Sequence, residues 1–94
     1  MYRITNKMLE NKVDYLNQIT GNPATPWTAT DGGMRANIGN YHVSGAYGGV
    51  NLHQMMNDGG GIHSTFSCGH IPKRALYEKI CAFVSGYETA KQAA

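Results

Sequence analysis

The densest collection of reactive side chains in this 94-residue sequence is Cys68-Gly69-His70-Ile71-Pro72-Lys73-Arg74. It sets a thiol, an imidazole and two cations at the start of a predicted helix. Helix N-termini carry partial positive charge and favour Asp or Glu in the first turn. Lys73 and Arg74 stand there instead. Ile71, ahead of Pro72, has no capping oxygen, so backbone N–H groups are expected to be left open. Two local rules are broken at one place, and such breaks gather at functional sites. Open N–H groups, a flanking glycine and two cations make an anion cradle. Lys73 shares a helical face with Leu76, Ile80 and Val84, which aims it at the sheet edge. The plainer alternative is two solvated charges, since one unfavourable dipole contact costs under ~1 kcal/mol.

A second stretch, Tyr41-His42-Val43-Ser44-Gly45-Ala46-Tyr47-Gly48-Gly49, pairs glycines with tyrosines. Gly48 and Gly49 would let a flat ligand approach the backbone, and Tyr47 or Tyr41 would stack on it. The alternative is a hairpin turn with both rings packed on neighbouring strands. A third stretch, Asn57-Asp58-Gly59-Gly60-Gly61, is a loop able to fold over a ligand, or merely a long connection. The glycines have neither P-loop nor dinucleotide-fold spacing, and no parallel βαβ pattern surrounds them.

His63, Cys68 and His70 are close in sequence, and His42 or His53 could join them in space. Their spacing matches no common zinc pattern, and isolated histidines in short strands are more often half-buried polar residues. No metal or cofactor is expected. Of the six carboxylates, Glu10, Asp14, Glu78 and Glu88 fall on predicted helices, and no pair is placed for acid–base work in the glycine-rich centre. A Cys68/His70 or Ser/His nucleophile lacks an orienting third group. The chain therefore reads as a binder rather than an enzyme. Its basic residues are split between two helices (Arg3, Lys7 and Lys12; Lys73, Arg74 and Lys79), too sparse for duplex DNA.

The elements that must position these groups follow from periodicity. Met8, Leu9, Val13, Leu16 and Ile19 recur at helical spacing over residues 5–20, with Glu10, Asp14, Asn17 and Gln18 opposite. Thr5 or Asn6 caps the start, and Gly21 with Pro23 marks the stop. Residues 24–70 hold short β-like runs: 26–30, 34–38, 41–44, 50–55 and 62–67. They are punctuated by Asp31-Gly32-Gly33, Gly39-Asn40, Gly48-Gly49 and Asp58–Gly61. Leu76, Ile80, Phe83, Val84 and Tyr87 stripe a second helix over 72–87, with Pro72 at its first position and a frayed tail over 89–94. The expectation is one α+β domain, α-β-β-β-β-α, an antiparallel meander flanked by an N-terminal and a C-terminal helix.

Length and composition bound the rest. At 41% hydrophobic and 15% charged, the chain is globular in composition. A core this small favours sharing stability with another copy, so a homo-oligomer is expected. A net charge of +2 is too weak to imply a nucleic-acid binder by itself. Two cysteines make no disulfide framework, the opening residues carry no signal-peptide pattern, and no run is long and apolar enough for a membrane span. A reducing cytoplasm is the simplest setting.

Two blocks, residues 41–50 (YHVSGAYGGV) and 69–77 (GHIPKRALY), together with 15–21 (YLNQITG), resemble small accessory proteins of tailed bacteriophages and prophages. The resemblance runs from about Met8 to Gly86. It implies an accessory protein acting in the cytoplasm of an infected bacterium, where such proteins commonly sequester or block host factors. It brings no activity with it.

These readings converge on a protein that sequesters a small anionic ligand, best a nucleotide, in one version a host-defence signal. The expected site comprises Tyr41, Ser44, Tyr47, Gly48, Gly49, His53, Gly60, His70, Lys73 and Arg74. The leading alternative is a protein–protein inhibitor of a host enzyme or defence complex, docking through Leu52, Met55 and Met56. Single-stranded nucleic-acid binding is the third.

Overall fold

The computed structural model describes residues 3–93. Helix α1 (Asn6–Thr20) leads into β1 (Trp27–Thr30) and β2 (Gly33–Ala36). Then come β3 (Tyr41–Ala46), β4 (Gly49–Met55), β5 (Ile62–Ser64) and helix α2 (Lys73–Ala93). This is an α+β fold of antiparallel strands between two helices. The strands number five and divide into two sheets, a β1–β2 hairpin and a β3–β4–β5 sheet. The break falls at the turn before β3. There Gly39 adopts φ 95° and donates to Met55 O at 2.8 Å, while Asn40 is buried and donates its side-chain amide to Pro23 O at 2.8 Å.

The ends of α1 are set by local chemistry. Thr5 Oγ1 accepts from Met8 N at 3.2 Å. Gly21, at φ 71°, closes the helix as Gly21 N donates to Gln18 O and Asn22 N to Asn17 O, the paired bonds of a Schellman motif. The apolar stripe Leu9, Val13 and Leu16 is buried as its spacing predicts. Asn17 departs from expectation, because it points inward and is 2% exposed. Its side-chain amide donates to Tyr41 O at 2.9 Å and its carbonyl accepts from Tyr41 N at 2.8 Å. One asparagine thereby replaces the neighbouring strand that β3 lacks on its outer side.

Leu9, Val13 and Leu16 pack with Tyr41, Val50 and Leu52 of the sheet and with Leu76, Ile80 and Val84 of α2 in one core. The rings of Tyr41 and Phe66 meet Phe83 edge-on, with centroids 6.1 and 5.6 Å away. Tail residues 89–93 are helical rather than frayed. Ala, Lys and Gln are strong helix formers, the Lys91 ammonium lies 6.0 Å from the Tyr87 ring one turn back, and Tyr15 donates to Glu88 at 2.6 Å. Gly86 costs roughly 1 kcal/mol against alanine, too little to stop the helix. Pro72 precedes the helix instead of opening it, and its carbonyl accepts the first bond, from Leu76 N at 3.1 Å. Among the described residues no helix is long and apolar enough to cross a membrane.

Candidate functional site

Strand register decides which side chains share a face. His42 pairs with His53, Ser44 with Asn51, and Val43 with Leu52. Because successive side chains alternate, His42, Ser44 and His53 lie on the face away from the helices, while Tyr41, Val43 and Leu52 face them. On the first of these faces the rings of His42 and His53 meet edge to face at 5.8 Å between centroids. His53 meets His70 at 6.0 Å, and His70 meets Tyr47 at 5.8 Å. Ser44 Oγ lies 3.3 Å from His70 Nε2. Four rings and a hydroxyl thus form one continuous file across the sheet.

Tyr47 and Gly48 connect β3 to β4. Both have left-handed backbones, φ 54° and 74°, as a type I′ turn requires. Gly48 fits that conformation and Tyr47 does not, since a bulky residue at positive φ is strained. The ring is nevertheless 98% exposed, so packing does not account for the tyrosine. Gly49 serves a different purpose from the expected ligand approach. A Cβ there would lie 3.0 Å from His70 C, Ile71 N and Ile71 O, so the glycine admits the chain's own backbone. That close pass is a bridge in which Val50 and Ile71 exchange N–H···O bonds of 2.8 Å.

The bridge holds His70 over the sheet and starts α2 beside the Tyr47 turn. Lys73 and Arg74, the first two residues of α2, are half-buried. Opposite Ser44 on β4, Asn51 is 3% exposed and bonded on both sides of its amide: it donates to Ser64 Oγ at 3.0 Å and accepts from Leu52 N at 2.9 Å. The Cys68 thiol lies 3.9 Å from the same Asn51 oxygen. No carboxylate occurs between Arg35 and Asp58, or between Asp58 and Glu78, so every chain segment of this face is free of negative charge.

Burial pushes the His53 imidazole below its ordinary pKa, and the neighbouring charges of His42 and His70 push the same way. Burial alone lowers His42. These imidazoles accept protons reluctantly until a negative charge arrives. Among the described residues no three of the His, Cys, Asp and Glu side chains are grouped to hold a metal ion. His63 pairs with Gln54 across β4–β5, and so falls on the opposite face from His53.

Four expected contributors, Tyr41, Gly60, Leu52 and Met55, lie elsewhere. Tyr41 is 9% exposed and belongs to the core on the helix side, where desolvation raises its phenol pKa. It cannot stack on a ligand that rests on His53. Gly60 does not close over the site. Its φ is 98°, a Cβ there would sit 2.7 Å from the Trp27 ring, and its loop is clasped by Asn57 Oδ1 accepting from Gly59 N and Gly61 N. The loop follows the far end of β4, six residues and ~20 Å of strand beyond Gly49. Leu52 and Met55 are core residues, so of the proposed docking trio only Met56 is open to solvent. Sequence reasoning weighed His42 chiefly as a metal partner, set Asn17 on the polar helix face, read Asn40 as turn punctuation and did not single out Asn51, because Tyr41, Pro23 and Ser64, which these amides reach, are distant in the chain.

A cavity of about 390 Å³ lies between α1 and β3. Its lining includes Glu10 and Asp14, which makes it unsuited to an anion, and neither Lys73 nor Arg74 reaches it. No protein-family model, curated protein or solved structure matches this chain. The resemblance to phage accessory proteins therefore rests on the sequence blocks alone.

Proposed function

We propose that this protein binds a small anionic ligand with a flat ring, best a nucleotide, on the face that carries Tyr47, His70, His53 and His42. The observation that carries the reading is the file of four rings, 5.8, 6.0 and 5.8 Å apart, on strand and turn segments that hold no carboxylate, with Lys73 and Arg74 following His70 closely in the chain. The exposed Tyr47 ring offers a stacking surface for a base. His53 and His42 supply N–H donors whose affinity for protons rises when phosphate binds. Lys73, Arg74 and a first turn of α2 that holds no acidic residue add positive potential. Ser44 orients His70 through its hydroxyl. Binding, not turnover, is the proposed activity, and in the phage setting implied by the sequence blocks its use would be to sequester a host signal.

The test is a thermal-shift panel of linear and cyclic nucleotides with inorganic phosphate and free nucleosides as controls. Saturating ligand at about a hundred times its Kd adds roughly 2.7 kcal/mol, several degrees for a domain of this size. Tyr47→Ala and His70→Ala should each remove the gain. A flat response across the panel rejects the reading.

A second reading, docking on a partner protein or on another copy, is favoured by a different observation. Trp27, Met34, Ile38, Met56 and Ile62 are large apolar side chains left 40–61% exposed. The radius of gyration, 13.9 Å, exceeds the ~12.4 Å of a compact chain of this length. Sedimentation velocity across a concentration range tests self-association directly.

A further inference from the structure

The cavity between α1 and β3 has a chemistry of its own. β3 is an edge strand of its sheet. Asn17 bonds both backbone groups of Tyr41 from the side away from β4. Backbone direction alternates along a strand, so Val43 and Gly45 also present N–H and C=O outward. Apart from the β3–β4 ladder, no hydrogen bond among the described residues reaches Val43 or Gly45. Both residues line the cavity, with Val13 as apolar floor and Glu10 and Asp14 as the opposite wall. The two carboxylates are exposed and one helical turn apart, a rise of ~6 Å. Alternate side chains of an extended strand are ~6.8 Å apart, close to the same spacing. His42, the one basic side chain in the lining, is held toward its neutral form by burial.

We infer that the groove between α1 and β3 takes an extended cationic peptide segment of a partner protein, which adds a strand to β3 at Val43 and Gly45 and sets alternate Lys or Arg side chains against Glu10 and Asp14. Main-chain bonds hold the segment in register, and the carboxylates select its charge. Asn17 fixes where the added strand ends, because it already occupies Tyr41. This site meets the ring face only at His42, which lines the groove as well, and its main-chain contacts at Val43 and Gly45 do not depend on a nucleotide there.

The experiment is an amide NMR titration of the full chain with Ac-Val-Lys-Val-Lys-Val-amide, and with the same peptide carrying Gln for Lys. The expected result is a downfield shift and slowed exchange at the Val43 and Gly45 amides. The Lys peptide should bind roughly tenfold more tightly than the Gln peptide, and E10Q/D14N should erase that difference. Both substituted side chains are exposed, so the fold should survive; Gly45→Pro, which deletes an outward N–H, should weaken both peptides. The inference is overturned by unshifted Val43 and Gly45 amides at millimolar peptide, or by equal binding of the two peptides. It is also overturned if those amides are already protected without peptide in a concentration-dependent dimer.

Discussion

Replacing Tyr47 with asparagine separates what this residue does for folding from what it does for binding. Its backbone is left-handed at φ 54° and its ring is 98% exposed. A left-handed L-residue costs about 1–2 kcal/mol, and asparagine recovers much of that through local hydrogen bonding. Asn followed by Gly48 is also the preferred pair for a type I′ turn. The loss is the edge contact with His70 at 5.8 Å, below the ~0.5–1.5 kcal/mol of a packed aromatic pair because the ring stands in water. The net expectation is a gain of about 0.5–1 kcal/mol, or an increase in Tm of about 2–8 °C for a chain of this length. Urea titration gives the free energy, and calorimetry with AMP gives the affinity. Stability should rise while nucleotide affinity falls by an order of magnitude or more. A Tyr47→Asn variant that is less stable, or that binds AMP as well as the parent, would refute the assignment of this tyrosine to ligand binding.

Three further outcomes follow from the geometry. Asn17→Ala strands the N–H and C=O of Tyr41 in a buried position and should cost about 2–4 kcal/mol by urea unfolding, although α1 itself gains a better helix former. Gly49→Ala should cost about 1–3 kcal/mol, because its Cβ would meet the backbone of residues 70 and 71, and should loosen His70 as seen by NMR. His53 and His42 have folded pKa values below that of the unfolded chain, so the unfolded state takes up protons first. Stability should be fully present above about pH 6.5 and decline as pH falls through the window below it, with His53→Gln shallower in a pH series of melts.

Apolar periodicity carries the two helices because burial follows it directly: Leu9, Val13, Leu16, Leu76, Ile80 and Val84 are all in the core. Glycine and asparagine punctuation carries the hairpins for a similar reason, since Gly33, Gly39 and Gly48 take backbones that other residues resist. The division into two sheets was not legible. It depends on Asn40 reaching Pro23 and on Gly39 reaching Met55, contacts between groups whose sequence separation says nothing. Asn17 was misplaced because amphipathic patterning assigns a polar residue to solvent, and only the neighbouring edge of β3 supplies the partners that permit burial. For the ring face, the His70–Arg74 stretch and Tyr47 could be marked from local rules. The gathering of His42, His53 and His70 could not, as it requires the β3–β4 register and the Val50–Ile71 bridge together. The same bridge explains Gly49, whose role sequence reasoning gave to a ligand.

Titration calorimetry with AMP at pH 6 and pH 8, in buffers of differing ionisation enthalpy, tests the central claim most directly. The account predicts saturable binding, tighter at pH 6, with net proton uptake as His53 and His42 charge against the phosphate, and loss of most of the affinity in Lys73→Ala/Arg74→Ala. Absence of binding heat at both pH values, or binding with no proton uptake and no dependence on Lys73 and Arg74, would contradict it.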